Sequence, residues 1–177
     1  TLVLSDQTAG EQVMAEPVMP NTDTSRRRIR ALRNALHNFP RNPLALMDLA
    51  REYVGLGQPW AAIKPVREAL ALAPASRFIL RSASRFFLHH KDNEQAHDIL
   101  RKAERTRKDP WLVSAEIAVA SAAGRRSSLV KLGQQFVESK NLHPSHISEL
   151  ASALGTLELE AGNVRLMKKL FRKALEK

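Results

Sequence analysis

The histidines are the side chains of this sequence best suited to acid–base or metal chemistry near neutral pH. His143 and His146 stand three residues apart in the stretch HPSH, and His89, His90 and His97 lie close together along the chain. No cluster of acidic residues with metal-ligand spacing accompanies either group. We therefore interpret the histidines as surface or helix-capping residues rather than as catalytic groups or metal ligands.

Other catalytic signatures are also missing from the sequence. It contains no phosphate-binding loop, no nucleophile elbow and no glycine-rich dinucleotide turn. The absence of cysteine excludes a disulfide framework, thiolate metal sites and a cysteine nucleophile. We expect a protein that is not an enzyme and that carries neither a cofactor nor a metal.

Charge is distributed unevenly along the chain, which has a net charge of +10 and a pI of about 10.5. Residues 1–24 contain Asp6, Glu11, Glu16 and Asp23 but no lysine or arginine, so the remaining residues carry +14. We interpret residues 1–24 as a flexible acidic N-terminal segment. The asymmetry allows an anionic partner, an acidic segment that visits its own basic body, or a solvated basic surface without a specific ligand.

Two basic stretches, SRRRIRALR and MKKLFRKALEK, make nucleic acid an alternative partner. Aromatic residues make up only 5% of the chain and do not alternate with these stretches, so few side chains are available for base stacking. The second stretch also resembles an amphipathic membrane-surface helix, but a last helix needs the same apolar stripe for packing. No apolar run of about 18 residues predicts membrane insertion, and we expect a cytoplasmic protein.

Apolar periodicity and the positions of proline and glycine predict nine helices and no strand. The first begins near Thr24 or Ser25 and ends before Pro40. The others are predicted over residues 44–56, 60–72, 77–90, 93–106, 111–123, 127–139, 145–160 and 163–176. Because the connections are short, neighbouring helices should form antiparallel pairs.

The sequence matches itself when it is shifted by 34 residues. Leu46, Tyr53, Ala62, Val66 and Ala69 coincide with Leu80, Phe87, Ala96, Leu100 and Ala103. Large residues meet large residues and small residues meet small ones. Small residues let two helix backbones approach closely, and large ones fill the space between pairs, so the pattern predicts a stacked solenoid.

The stretch NPLALMDLAREYVGLGQPWAAIKPVREALALAP, with Gly57 at its turn and Pro74 at its end, resembles the tetratricopeptide repeat (TPR). The resemblance is strong over 43–76, good over 77–108 although Lys91 replaces the turn glycine, and weak over 109–142. It implies an all-α, right-handed α-solenoid of antiparallel helix pairs over residues 25–177. Its units are a half repeat at about 25–42 and repeats at about 43–76, 77–110, 111–143 and 144–177.

In TPR-like arrays the first helix of each repeat lines a concave groove that receives a partner segment. By alignment, the last two repeats contribute Ser114 and Glu149 among others. The groove residues that we expect to bind a partner are Met47, Arg51, Phe78, Arg81, Arg85 and Trp111. Arginine forks suit carboxylates, and the apolar neighbours suit an apolar side chain, so the favoured partner is an acidic and apolar protein or peptide segment.

The resemblance thus implies a non-catalytic protein-interaction or scaffolding module. Three alternatives stay open at this point. The chain is a basic solenoid that binds nucleic acid, an array that forms homo-oligomers through its ends, or a regulatory region of a larger protein.

Overall fold

The computed structural model describes residues 22–176, and within that range the chain is helical without strands. It contains nine α-helices and one 3₁₀ helix in this range. The α-helices are α1 (Thr22–Asn38), α2 (Pro43–Gly55), α3 (Pro59–Leu72), α4 (Arg77–His89), α5 (Asn93–Lys102), α6 (Pro110–Ala122), α7 (Val130–Glu138), α8 (Pro144–Glu160) and α9 (Val164–Ala174). The 3₁₀ helix, Glu104–Lys108, lies between α5 and α6. The predicted acidic segment lies outside the described residues up to position 21.

Proline and side-chain caps determine where the first helix of a repeat begins. Pro43, Pro110 and Pro144 occupy the first turn of α2, α6 and α8, where a missing backbone N–H costs nothing. The Asn42 side chain accepts hydrogen bonds of 3.1 Å from the backbone N–H groups of Leu44 and Ala45. These local signals explain why the helix starts were predicted to within a residue or two.

The turn inside each repeat has one backbone conformation. Gly57, Gly124 and Gly162 have positive φ angles of 70°, 66° and 79°, and Lys91 takes the same place in the second repeat with a φ of 61°. At each turn the next residue donates a backbone hydrogen bond to a carbonyl five residues earlier, as Asp92 does to Phe87 at 3.0 Å. This bond is typical of a Schellman ending, so the predicted turn equivalence is confirmed.

The helices form the pairs α2–α3, α4–α5, α6–α7 and α8–α9, with α1 packed against α2. The first helices α2, α4, α6 and α8 also contact one another in sequence. The chain is therefore the right-handed α-solenoid of antiparallel helix pairs that the sequence predicted. The small residues Ala62, Ala69 and Ala96 are fully buried where these helices meet, which confirms the size pattern.

Helix α6 belongs to two hydrophobic clusters at once. Leu112 and Val119 pack into the cluster formed by α1 to α5, whereas Val113 and Ile117 pack into the cluster of α7, α8 and α9. Helix α6 therefore packs against both halves of the array. Burial of this kind contributes about 25 cal/mol per Å² of apolar surface.

Two predicted helix boundaries are wrong. The helix predicted over 93–106 ends at Lys102, and a 3₁₀ turn with the buried Thr106 follows it. The helix predicted from residue 127 begins at Val130, because the Ser127 hydroxyl accepts from the Leu129 N–H at 3.0 Å and also bonds Glu116. At the second boundary the contact with Glu116 overrides helical periodicity.

Candidate functional site

The first helices of the array enclose a cavity of ≈ 870 Å³ on their shared side. All six residues expected at the groove line it: Met47, Arg51, Phe78, Arg81, Arg85 and Trp111. The remaining lining residues are Ala50, Val54, Val66, Arg77, Ser82, Phe86, His89 and Arg105. We refer to this cavity as the concave groove. The role of its residues in binding stays a prediction.

The floor and rim of the concave groove are apolar. Met47 is buried at the floor, and Trp111 is half-buried at the start of α6. Phe78 and Val54, which both line the groove, leave 47% and 40% of their surfaces exposed. Large exposed apolar side chains gathered in a depression favour contact with an apolar partner group.

Five arginines line the concave groove, and acidic residues next to it pair with four of them. Arg51 is exposed and contacts Asp48 on its own helix at 2.9 Å. Arg85, one turn beyond Arg81 on α4, is exposed. An exposed guanidinium next to apolar surface is suited to a carboxylate that arrives together with an apolar side chain.

Trp111 is held in place by a buried acid and two arginines. The Asp109 carboxylate accepts a 3.1 Å hydrogen bond from the Trp111 N–H and caps α6. Asp109 is 4% exposed and also accepts from Arg77 at 2.6 Å and Arg105 at 3.3 Å. The guanidinium carbons of Arg77 and Arg81 lie 5.8 Å from the centre of the indole ring. The backbone of Trp111 is thus held by hydrogen bonding, and its indole ring lies between cation–π contacts.

Arg81 and Glu149 bridge the concave groove from α4 to α8. The Arg81 guanidinium donates from Nη1 to Glu149 Oε2 at 3.1 Å, and its Nη2 contacts Oε1. The alignment put Glu149 on the groove side of its repeat, but nothing in the sequence pairs residues 68 positions apart. The bridge leaves Arg51 and Arg85 as the more accessible cations.

Two lining arginines were not predicted. Arg77 precedes Arg81 by four residues on α4 and therefore shares its face, so helical spacing alone could have found it. Arg105 reaches the groove because the chain leaves the helix after Lys102 and turns through the 3₁₀ segment. The sequence carries no clear signal for that turn.

Two other expectations are wrong. Ser114, aligned with the groove, is 2% exposed and is not among the residues that line it. His97, interpreted as a surface or capping residue, is buried, and its Nε2 lies 2.9 Å from Glu116 Oε1. The packing of α5 against α6 encloses His97 and Glu116. His143 does cap a helix, because its Nδ1 accepts from the Ser145 N–H at 3.3 Å.

A second cavity, of ≈ 1280 Å³, lies between α7, the start of α8 and α9, and we call it the C-terminal cleft. Its cations are Lys140, Arg165, Lys168, Lys169, Arg172 and Lys173, and its acids are Glu138 and Glu176. Leu170 is the buried residue of α9. Arg165, Lys168, Lys169 and Arg172 are exposed on that helix. The expected packing of the apolar stripe against α8 is found for Leu170 and Ala174.

Residues 22–176 contain no group of three or more histidine or acidic side chains placed to hold a metal ion. Over the same residues, no helix has the length and apolar character needed to cross a membrane. Among the residues that the structure describes, the clear pKa perturbation is at Asp98, where hydrogen bonds from Lys102 and Arg101 lower the pKa to about 2. Asp98 lies outside both cavities, so this shift carries no chemistry for either one.

Comparison with known proteins identifies the fold. No protein-family model matches the chain, and a search of curated proteins returns no match. Two crystal structures of MamA, a TPR-like helical repeat protein, are similar to it. One aligns with a TM-score of 0.62 and 20% identity over 90% of this chain and 95% of MamA. The other aligns with a TM-score of 0.60 and 20% identity over 89% of this chain and 87% of its own. At this identity the likeness shows the fold alone, an all-α solenoid of TPR-like helix pairs.

Proposed function

We propose that this protein is a non-catalytic protein-interaction scaffold whose concave groove holds an acidic and apolar segment of a partner protein. The observation that carries the proposal is the lining of the groove. Five arginines and the exposed side chains of Phe78 and Val54 line one depression. Acidic residues beside it pair with four of these arginines, and Arg85 is exposed. Similarity to MamA supports the scaffold architecture, and the groove chemistry supplies the partner class.

Partner recognition combines two contacts. The carboxylates of the partner pair with Arg51 and Arg85, which lie at equivalent positions of successive repeats, 34 residues apart. An apolar partner side chain lies against Phe78 and Val54. The charge pairs raise the association rate and fix the register, while the buried apolar contact supplies most of the affinity.

The test is a pull-down from the native lysate, with and without nuclease. It compares the wild type with Arg51→Glu/Arg85→Glu and with a matched control, Arg27→Glu/Arg30→Glu, which reverses two exposed arginines on α1. We expect a discrete protein that survives nuclease, is lost with the groove variant and is retained by the control. Retention by the groove variant as well would place binding on another surface.

The C-terminal cleft supports a second candidate function, the binding of a polyanion such as single-stranded RNA. Six cationic and two acidic side chains line it, and one of the cations, Lys173, is paired with Glu176 at 2.6 Å. The binding of a labelled 20-nucleotide polyuridylate should then weaken steeply with salt, by about 0.7 log unit per log unit of salt for each phosphate neutralised. Lys168→Glu/Arg172→Glu should abolish this binding, and Arg51→Glu/Arg85→Glu should leave it unchanged.

A further inference from the structure

The chain enters the described structure at one end of the concave groove. Helix α1 packs antiparallel to α2, with Arg28 Nη1 3.3 Å from Glu52 Oε1 and Arg33 Nη2 2.6 Å from Tyr53 Oη. Thr22, at the start of α1, therefore lies past the C-terminal end of α2. Val54 belongs to this end of α2 and lines the groove. The chain consequently enters α1 next to the end of the groove marked by Val54.

The distance from this point into the groove is short compared with the length of the segment. A helix with its side chains is about 10–12 Å wide, and the segment has only the width of α2 to cross. Twenty-one residues span up to about 70 Å when extended, at about 3.3 Å per residue. The segment can therefore pass the end of α2 and run along the groove from Val54 towards Trp111.

The composition of this segment complements the groove. Residues 1–21 contain Asp6, Glu11 and Glu16 but no lysine, arginine or histidine. The second half of the segment's sequence has two apolar pairs, Val13–Met14 between Glu11 and Glu16, and Val18–Met19 after Glu16. The groove offers the opposite charges and a matching apolar rim.

We propose that residues 1–21 occupy the concave groove of the same molecule and compete there with a partner protein. The inference rests on the proposed function, because it assigns the same groove to an acidic and apolar segment. Glu11 and Glu16 pair with Arg51 and Arg85, and the intervening Val13 and Met14 contact the rim at Phe78.

The covalent link explains why such a contact can be effective without high affinity. A segment tethered by a short linker experiences an effective concentration in the millimolar range. A partner must then displace it, so its apparent affinity falls by the fraction of molecules whose groove is free. Loss of the acidic charges from the segment should strengthen partner binding without any change in the groove.

The test uses paramagnetic relaxation in the full chain. Because the chain has no cysteine, Gln12→Cys gives one attachment site for a nitroxide and keeps every charged and apolar residue of the segment. The reporters are the two indole N–H signals: Trp111 lies in the groove, and the exposed Trp60 on α3 lies outside it. We expect the nitroxide to broaden the Trp111 signal strongly and to leave that of Trp60 sharp.

Three variants of the labelled chain sharpen the result. Arg51→Glu/Arg85→Glu and Asp6→Lys/Glu11→Lys/Glu16→Lys should each restore the Trp111 signal. The matched reversal Lys168→Glu/Arg172→Glu, on α9, should not. A sharp Trp111 signal in the otherwise unaltered labelled chain, or broadening that persists in both restoring variants, would overturn the inference.

A mixed sample distinguishes binding of the segment within one molecule from its binding to a second copy. Nitroxide-labelled chain without isotope is mixed with ¹⁵N-labelled chain without nitroxide. A Trp111 signal that stays sharp supports occupancy within one molecule, whereas broadening in the mixture contradicts it in favour of exchange between copies. A sharp Trp111 signal in the labelled chain would reject the occupancy of the groove by residues 1–21 but would leave the pull-down result unaffected. If instead the Trp111 signal broadens and the pull-down finds no partner, the groove binds only its own segment.

Discussion

Arg81 on α4 and Glu149 on α8 form a two-pronged ion pair that spans the intervening helix α6 and lies beside the ring of Trp111. Each partner belongs to the first helix of its repeat, and the repeats are not sequence neighbours. The pair therefore ties the second repeat to the fourth across the concave groove. It also neutralises one of the two arginines beside the indole, so the charge available to a partner is concentrated towards Arg51 and Arg85.

Breaking the ion pair between Arg81 and Glu149 should lower the free energy of unfolding only slightly. Arg81→Ala and Glu149→Ala should each cost about 1 kcal/mol or less in the free energy of unfolding, because both side chains keep contact with solvent. A double-mutant cycle measured by urea unfolding should give a coupling energy of about 0.5–1 kcal/mol. Additive effects would show that the bridge contributes nothing in solution.

Loss of a hydrogen-bond partner of the buried acid Glu116 should lower the free energy of unfolding by more than loss of the Arg81–Glu149 pair. It is 1% exposed, and its two carboxylate oxygens contact the His97 ring and the Ser127 hydroxyl. Ser127→Ala leaves one oxygen without its partner and should lower the free energy of unfolding by about 1–3 kcal/mol. The neighbouring exposed Ser128 gives a matched control, since Ser128→Ala should change stability by less than about 0.5 kcal/mol. Equal effects in urea unfolding would contradict a structural role for this contact.

The difference between Ser127 and Ser128 shows where sequence reasoning ends. The repeat positions of Leu46, Ala62 and Gly57 carry local rules of size and backbone conformation, so helix pairing and the solenoid could be predicted. Arg51 and Arg85 followed from the same register. The burial of His97 against Glu116 and the reach of Arg105 depend on how α5, α6 and the 3₁₀ turn pack in space, and a single sequence does not encode such contacts as a period.

Lys91 occupies a turn position that glycine fills in the other three repeats. Its φ of 61° is in the left-handed region, which costs a residue with a Cβ about 1–2 kcal/mol. Lys91→Gly removes this strain but loses more backbone entropy on folding, so we expect a net stabilisation of about 0.5–1 kcal/mol. Lys91→Ala removes the same charge and keeps the Cβ. It should give no comparable gain in thermal or urea unfolding.

Asp98 should produce a specific pH dependence at the end of α5. The Lys102 and Arg101 side chains lower the pKa of its carboxyl to about 2 from an unfolded value of 3.8. Since the folded pKa is the lower one, the stabilisation is present above about pH 4 and is lost as the pH falls towards 2. An NMR titration should find the low pKa in the native chain and a value near the ordinary one in Arg101→Gln/Lys102→Gln. An unchanged pKa in that double variant would mean that these two side chains do not cause the shift.

Gly155 sets the distance between α8 and α9. A Cβ at this position would lie 2.7 Å from Phe171 Cε1 and 2.8 Å from Phe171 Cδ1, closer than van der Waals contact allows. Gly155→Ala should therefore cost about 1–2 kcal/mol, because overpacking outweighs the gain of about 0.5–1 kcal/mol in helix propensity. Gly55→Ala, at the end of α2 with nothing within 4 Å of the added Cβ, is the matched control and should be neutral or slightly stabilising. In the double variant Gly155→Ala/Phe171→Leu, the smaller leucine side chain leaves room for the added Cβ. The loss in the free energy of unfolding should therefore be less than the sum of the two single losses. If urea unfolding instead gives additive losses, the ring of Phe171 does not determine the helix spacing at this point.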